Sequence, residues 1–184
     1  MKMPKLHKTL LTLLLVLTPP YFLMFTDDGM RVSDNFVLWL FGGKTLEFNL
    51  EEADGSFTRN QVLGVFKDLD WQCEDAPSAF GTHLCGAAIA SFNSFPARYL
   101  TTFYANDRFN AIKIAYRPQY HEQVLGHLIK TLGQPANVAE ALKDTPDAAE
   151  VLEWHTGKGV VVLRKTLREE DEAALIWLAG TTAH

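Results

Sequence analysis

The chain has 184 residues, 47% of them hydrophobic and 21% charged, a globular balance that can bury a core and carries no long low-complexity tract. Of its 17 Lys and Arg, Lys2, Lys5 and Lys8 precede the first apolar run, which leaves 14 against 22 Asp and Glu, or −8, for the remainder. That acidity argues against nucleic acid and anionic lipid headgroups as partners, because both need clustered cations to neutralise phosphate.

The first element is an apolar run at residues 9–25, 17 residues long, with lysines before it and Asp27 and Asp28 after it. Its length is at the short end of what crosses a hydrocarbon core of about 30 Å. The charge order predicts a transmembrane signal-anchor at 9–25, with residues 1–8 as a cytoplasmic tail. The expected location is a bacterial inner membrane, single pass, with the C-terminal domain in the periplasm. A cleaved signal peptide is the rival reading, but Thr18-Pro19-Pro20-Tyr21-Phe22-Leu23 offers no small residues at A-x-A spacing. Residues 26–50 read as a juxtamembrane segment. Within it, Ser33 would cap a short helix ending at Gly42-Gly43, or 33–42 would form a hairpin strand about that pair. Trp39 would then sit at the membrane interface or in the core.

The tetrapeptide QVLG occurs at 61–64 and again at 123–126. Around the first copy a helix is expected from Thr58 to about Trp71, where Thr58 and Gln61 make a capping box. Around the second, a helix is expected from Pro118 to Leu132, with Gly133 past its end. Each is followed by a connector: the loop Cys73–Cys85 in the first case, a short helix at 137–143 in the second. Three strand-like runs then follow each connector. They are 86–93, 98–105 and 109–116 in the first half, and 150–156, 159–167 and 173–180 in the second. The last runs of each set, IKIAY and LIWLA, lie 63 residues apart. The expected fold class is therefore α+β: an N-terminal membrane anchor helix followed by two tandem α-β-β-β modules, 51–116 and 117–184, with antiparallel meander sheets. At the level of topology alone such modules resemble the β-lactamase inhibitor protein and small envelope-assembly lipoproteins. That resemblance implies a non-catalytic binder outside the cytoplasm, and no residue motif carries a site across.

Cys73 and Cys85 are the only two cysteines. Two thiols do not fill a tetrahedral zinc site, and the pair lacks C-x-x-C redox spacing. An oxidising compartment favours the third reading, a structural disulfide. His121-Glu122 and His127 do not make H-E-x-x-H, and the acidic run 67–75 lacks the glycine and ligand alternation of a calcium loop. With no nucleophile elbow or phosphate-binding loop either, no catalytic residue, metal site or cofactor is expected.

Two strands carry apolar groups on both faces. In 98–105, Tyr99 and Phe103 alternate with Leu100 and Tyr104; in 173–180, Leu175 and Trp177 alternate with Ile176 and Leu178. The second face then needs covering, either within the chain or by a partner. Tyr99, Phe103 and Trp177 are the candidate partner surface. The sequence leads to a membrane-anchored periplasmic interaction or scaffolding protein whose partner is another envelope protein. The alternative is a membrane-tethered hydrolase with a site assembled from distant segments.

Overall fold

The computed structural model describes residues 44–136, 151–168 and 170–180, together with Thr18. The expected 33–42 element, the short helix at 137–143 and all of the 9–25 run except Thr18 lie outside the described residues. Among the described residues no helix is long and apolar enough to cross a membrane. The chain divides into two units, Met1–Gly42 and Gly43–His184.

Among the described residues of the second unit nine strands dominate: β1 (Thr45–Leu46), β2 (Gln72–Ser78), β3 (Gly81–Ala88), β4 (Ser91–Phe92), β5 (Phe95–Ala105), β6 (Arg108–Tyr116), β7 (Val151–His155), β8 (Gly159–Arg164) and β9 (Ala174–Ala179). The helices are short: α1 (Arg59–Val65) and α2 (His121–Leu132), the latter preceded by a 3₁₀ turn at Pro118–Tyr120. Strand accounts for 47% of the described residues, so the expected α+β fold of two tandem α-β-β-β modules is overturned in favour of a mostly β architecture. The reason lies in how the strands pair. β6 and β9 lie side by side, antiparallel, so the two runs of strands share one nine-stranded sheet instead of forming one each.

Local chemistry explains the turns. Asn106 and Asp107 both have positive φ (52° and 61°), as a two-residue hairpin turn requires, and they join β5 to β6. Asn93 and Ser94 do the same between β4 and β5. The Asn93 side chain also grips the chain beside it, accepting from the Phe48 N–H at 2.9 Å and donating to the Phe48 carbonyl at 3.0 Å. Gln61 Oε1 accepts the Thr58 N–H at 2.8 Å, as the capping box predicts. α1 stops at Val65, six residues before the expected end at Trp71, because Phe66 and Leu69 turn into the core and the Trp71 indole N–H donates to the Phe66 carbonyl at 3.1 Å.

The larger difference is β2. QCEDAPS is polar and contains proline, a composition depleted in strands. It is nevertheless paired to β3 over Gln72–Asp75, with an irregularity between Asp75 and Ser78 next to Pro77. An edge strand tolerates this composition, since its outer groups are left to water.

One face of the sheet holds the core. Its central row runs across the strands as Cys85, Thr102, Ile112, Trp177, Val161 and Trp154. The next row runs as Ala87, Leu100, Ile114, Leu175 and Leu163. Val62 of α1 and Val124 and Leu128 of α2 join the same buried cluster. Trp177 is fully buried and stacks on Phe109 with ring centroids 5.1 Å apart. Gly159 makes room for it: a Cβ there would lie 2.6 Å from the indole ring.

Trp177→Ala should therefore destabilise the protein by about 3–5 kcal/mol, seen as a lower urea midpoint with little change in slope. A cost below about 1 kcal/mol would mean that the indole is not at the centre of the core.

Candidate functional site

The other face of the sheet is apolar too. Alternation sends Leu84, Phe103, Ala111, Leu178 and Val160 to this side in one cross-strand row. The adjacent row is Gly86, Thr101, Lys113, Ile176 and Val162. Leu84, Ile176, Leu178, Val160 and Val162 are half-buried, and none of them belongs to the core cluster or packs against it. Phe103 and Ala111 are buried yet also lie outside that cluster. Phe80, from the β2–β3 turn, leans on Phe103 with centroids 5.2 Å apart. The one cation among these two rows, Lys113, is paired with Glu172.

The three residues expected to form a partner surface are thus divided between faces. Tyr99 and Phe103 share the open face, where Tyr99 is 40% exposed and its ring lies over Gly86. Trp177 points into the core, with none of its surface exposed, and is not accessible to a partner in this fold. Leu84, Ile176, Leu178, Val160 and Val162 belong to the open face without having been expected there from the sequence. The signal for Val160 and Val162 is present in GVVVLR, and that for Ile176 and Leu178 in ALIWLA, both apolar at consecutive positions where a half-covered strand would alternate.

On the covered side, a groove of about 890 Å³ lies near α2 and the segment before α1. Phe48, Leu50, Phe92, Phe95, Val124 and Leu128 line it, with Glu47, Glu51 and Glu52 and, among the described residues, no Lys or Arg. His127, also in its wall, has its pKa lowered by burial and by the Lys130 charge. A second cleft, more polar, lies where Gly55 and Ser56 approach the β7–β8 turn. In it, Lys158 Nζ is 2.8 Å from Asp54 Oδ2. That hydrogen bond, with a second one from the Ser56 N–H, lowers the Asp54 pKa to about 2.

Cys73 and Cys85 form the expected disulfide. They are directly opposed residues of β2 and β3, so the bond staples an edge strand to its neighbour across the hairpin between them. Next to them, His83 Nδ1 lies 2.5 Å from Asp75 Oδ1, and Arg59 approaches His83 Nε2. Arginine only donates, so Nε2 accepts and Nδ1–H donates to Asp75. On α2, the buried His121 turns Nε2–H to the Lys165 carbonyl and accepts from the Tyr116 hydroxyl at 2.7 Å through Nδ1. Burial raises the Tyr116 pKa. His121 and His127 lie on one short helix but in different surroundings, and no shared site joins them.

Compared with family models, with curated proteins and with solved structures, the chain matches none.

Asp54 has a folded pKa of about 2, below the ordinary carboxylate value, so its pairing stabilises the fold above about pH 4 and is lost as pH falls through about 2. Lys158→Met should move the Asp54 midpoint toward its ordinary value in a carboxyl NMR titration; an unmoved midpoint would exclude Lys158 as the main cause. Reducing Cys73–Cys85, which are 12 residues apart, should cost about 3 kcal/mol in urea denaturation.

Proposed function

We propose that this chain is an interaction or scaffolding protein without catalytic activity of its own, working outside the cytoplasm and tethered to a bacterial inner membrane by residues 9–25. The tether and the compartment rest on the charge order around that run. The docking site is the open sheet face. The observation that carries this reading is the apolar row Leu84, Phe103, Ala111, Leu178, Val160, which lies outside the core cluster. Contiguous apolar surface of this kind marks sites of protein association.

The occupant is a protein surface that is flat, apolar and uncharged. Lys113 is already neutralised by Glu172, and the other charged groups of these rows, Glu74 and Glu153, sit at their outer ends on β2 and β7, so the middle of the face is apolar. A charged partner surface would lose its hydration without compensation there. A hydrolase reading would start from the Asp75–His83 pair beside the two sulfurs, and the disulfide takes those sulfurs out of use as nucleophiles.

Site-specific photo-crosslinkers at Tyr99 and at Ile176, in cells, should capture one and the same protein. The double change Val162→Lys and Leu178→Lys should reduce that capture at least about tenfold, while purified protein keeps its circular dichroism. A capture pattern unaffected by the lysines, or no recurrent product, would refute the docking face. A crosslink to a second copy of this chain, matched by a dimer in analytical ultracentrifugation, would identify the partner as self.

A further inference from the structure

Strand geometry places four chemistry-bearing residues at one corner of the sheet. Cys73 and Asp75 are two apart on β2, so they share a face; His83 and Cys85 are two apart on β3 and share the same face. The register sets Cys73 opposite Cys85 and Asp75 opposite His83. The result is a two-by-two array written in sequence as C-x-D followed by H-x-C. One ligand atom from each of Cys73, His83 and Cys85 lies within 4.8 Å of the others.

Sequence spacing alone gives no reason to group these residues, because the ladder, not the chain, brings His83 to the sulfurs. Two thiolates and an imidazole are a common zinc ligand set, with a fourth position for water or a further side chain. Donor atoms around such an ion are about 3.8 Å apart, given Zn–S bonds of about 2.3 Å. Forming the site therefore needs the His83 ring to draw toward the sulfurs, while the sulfurs part from each other once reduced. The partner of His83 fits as well. A carboxylate on the far ring nitrogen is the usual support of a metal-bound histidine, and Asp75 already accepts from Nδ1 while Nε2 presents its lone pair. Arg59 holds that lone pair in the oxidised protein. It has a second acceptor, Asp107, 3.5 Å from its Nε, to which it can turn.

We propose that reduction of the Cys73–Cys85 bond turns this corner into a binding site for a thiophilic divalent cation of the zinc class. Cys73, Cys85 and His83 are its ligands and Asp75 orients the histidine. The inference goes beyond the docking reading and does not rest on it. The chemistry balances with a dithiol reductant, which gives up two electrons and two protons and becomes a disulfide as the protein S–S bond becomes two thiols. The cation then binds two thiolates and the His83 nitrogen, and the two thiol protons leave to solvent. Cys73 is exposed and Cys85 buried, so the cation enters from the β2 side.

The experiment uses the full chain in detergent, oxidised or reduced under argon with a trialkylphosphine, titrated with Co²⁺ as the probe. The reduced protein should develop sulfur-to-cobalt charge-transfer absorption and the visible bands of a tetrahedral ion at one equivalent, and Zn²⁺ should displace them. The oxidised protein should show neither. His83→Ala should weaken Co²⁺ binding at least about tenfold and Asp75→Asn by about tenfold, with near-native circular dichroism in the oxidised state of both. Tetrahedral bands in the oxidised protein, no bands in the reduced one, or equal affinity in His83→Ala would overturn the site. Reduced protein that unfolds and binds Co²⁺ equally with and without His83 falls under the last outcome.

Discussion

The pairing of β6 with β9 is the constraint on which the other features depend. Through it, Ile112 meets Trp177 and Ile114 meets Leu175, and strands about 60 residues apart in the chain become neighbours. A slip of one residue would turn Trp177 and Leu175 to the open side and bring Ile176 and Leu178 into the core. What resists the slip is shape. The indole stacks on Phe109 and fits over Gly159, and neither Ile176 nor Leu178 reproduces that flat ring. Hydrophobicity alone does not set the register here, because both faces of β9 are apolar.

The outer strands show a different balance. β2 has little intrinsic tendency to be a strand, and its acidic side chains and Pro77 make it a poor template for pairing with other chains. Those same properties weaken its hold on β3. The disulfide offsets that weakness by restricting the unfolded chain, and the Asp75–His83–Arg59 chain of hydrogen bonds ties the same corner to the start of α1. The strand is thus kept soluble at its outer edge and fixed at its inner one.

Much of this architecture is legible in the sequence and some is not. The strand runs after each helix are readable because β-branched and aromatic residues gather in them, and Asn106-Asp107 announces its turn by residue type. The 63-residue spacing of IKIAY and LIWLA is visible as well, but it reads as two sheets; Lys113 in fact faces Ile176 across that very spacing in one sheet. Pairing between distant strands leaves no local trace. β2 escapes a sequence reading for a related reason: its strand character comes from its neighbour and its disulfide, not from its own residues. The candidate site is half legible. Apolar residues on both faces of 98–105 and 173–180 correctly point to a second apolar surface, but without the register nothing says that Tyr99 and Phe103 lie on it and Trp177 does not.

The open face and the stapled corner also differ in what they require of the fold. Phe103 and Ala111, in the middle of the open face, are already buried, and Phe80 leans on Phe103. Association there would bury mainly Tyr99 and the half-exposed aliphatic side chains, with no change in register. The corner is different, since its chemistry depends on whether two sulfurs are bonded to each other. The two meet in the sheet itself: Leu84 lies on the open face between His83 and Cys85, which point to the other side. A change in how β2 is held would therefore reach Leu84 through one strand, and the apolar row begins at that residue.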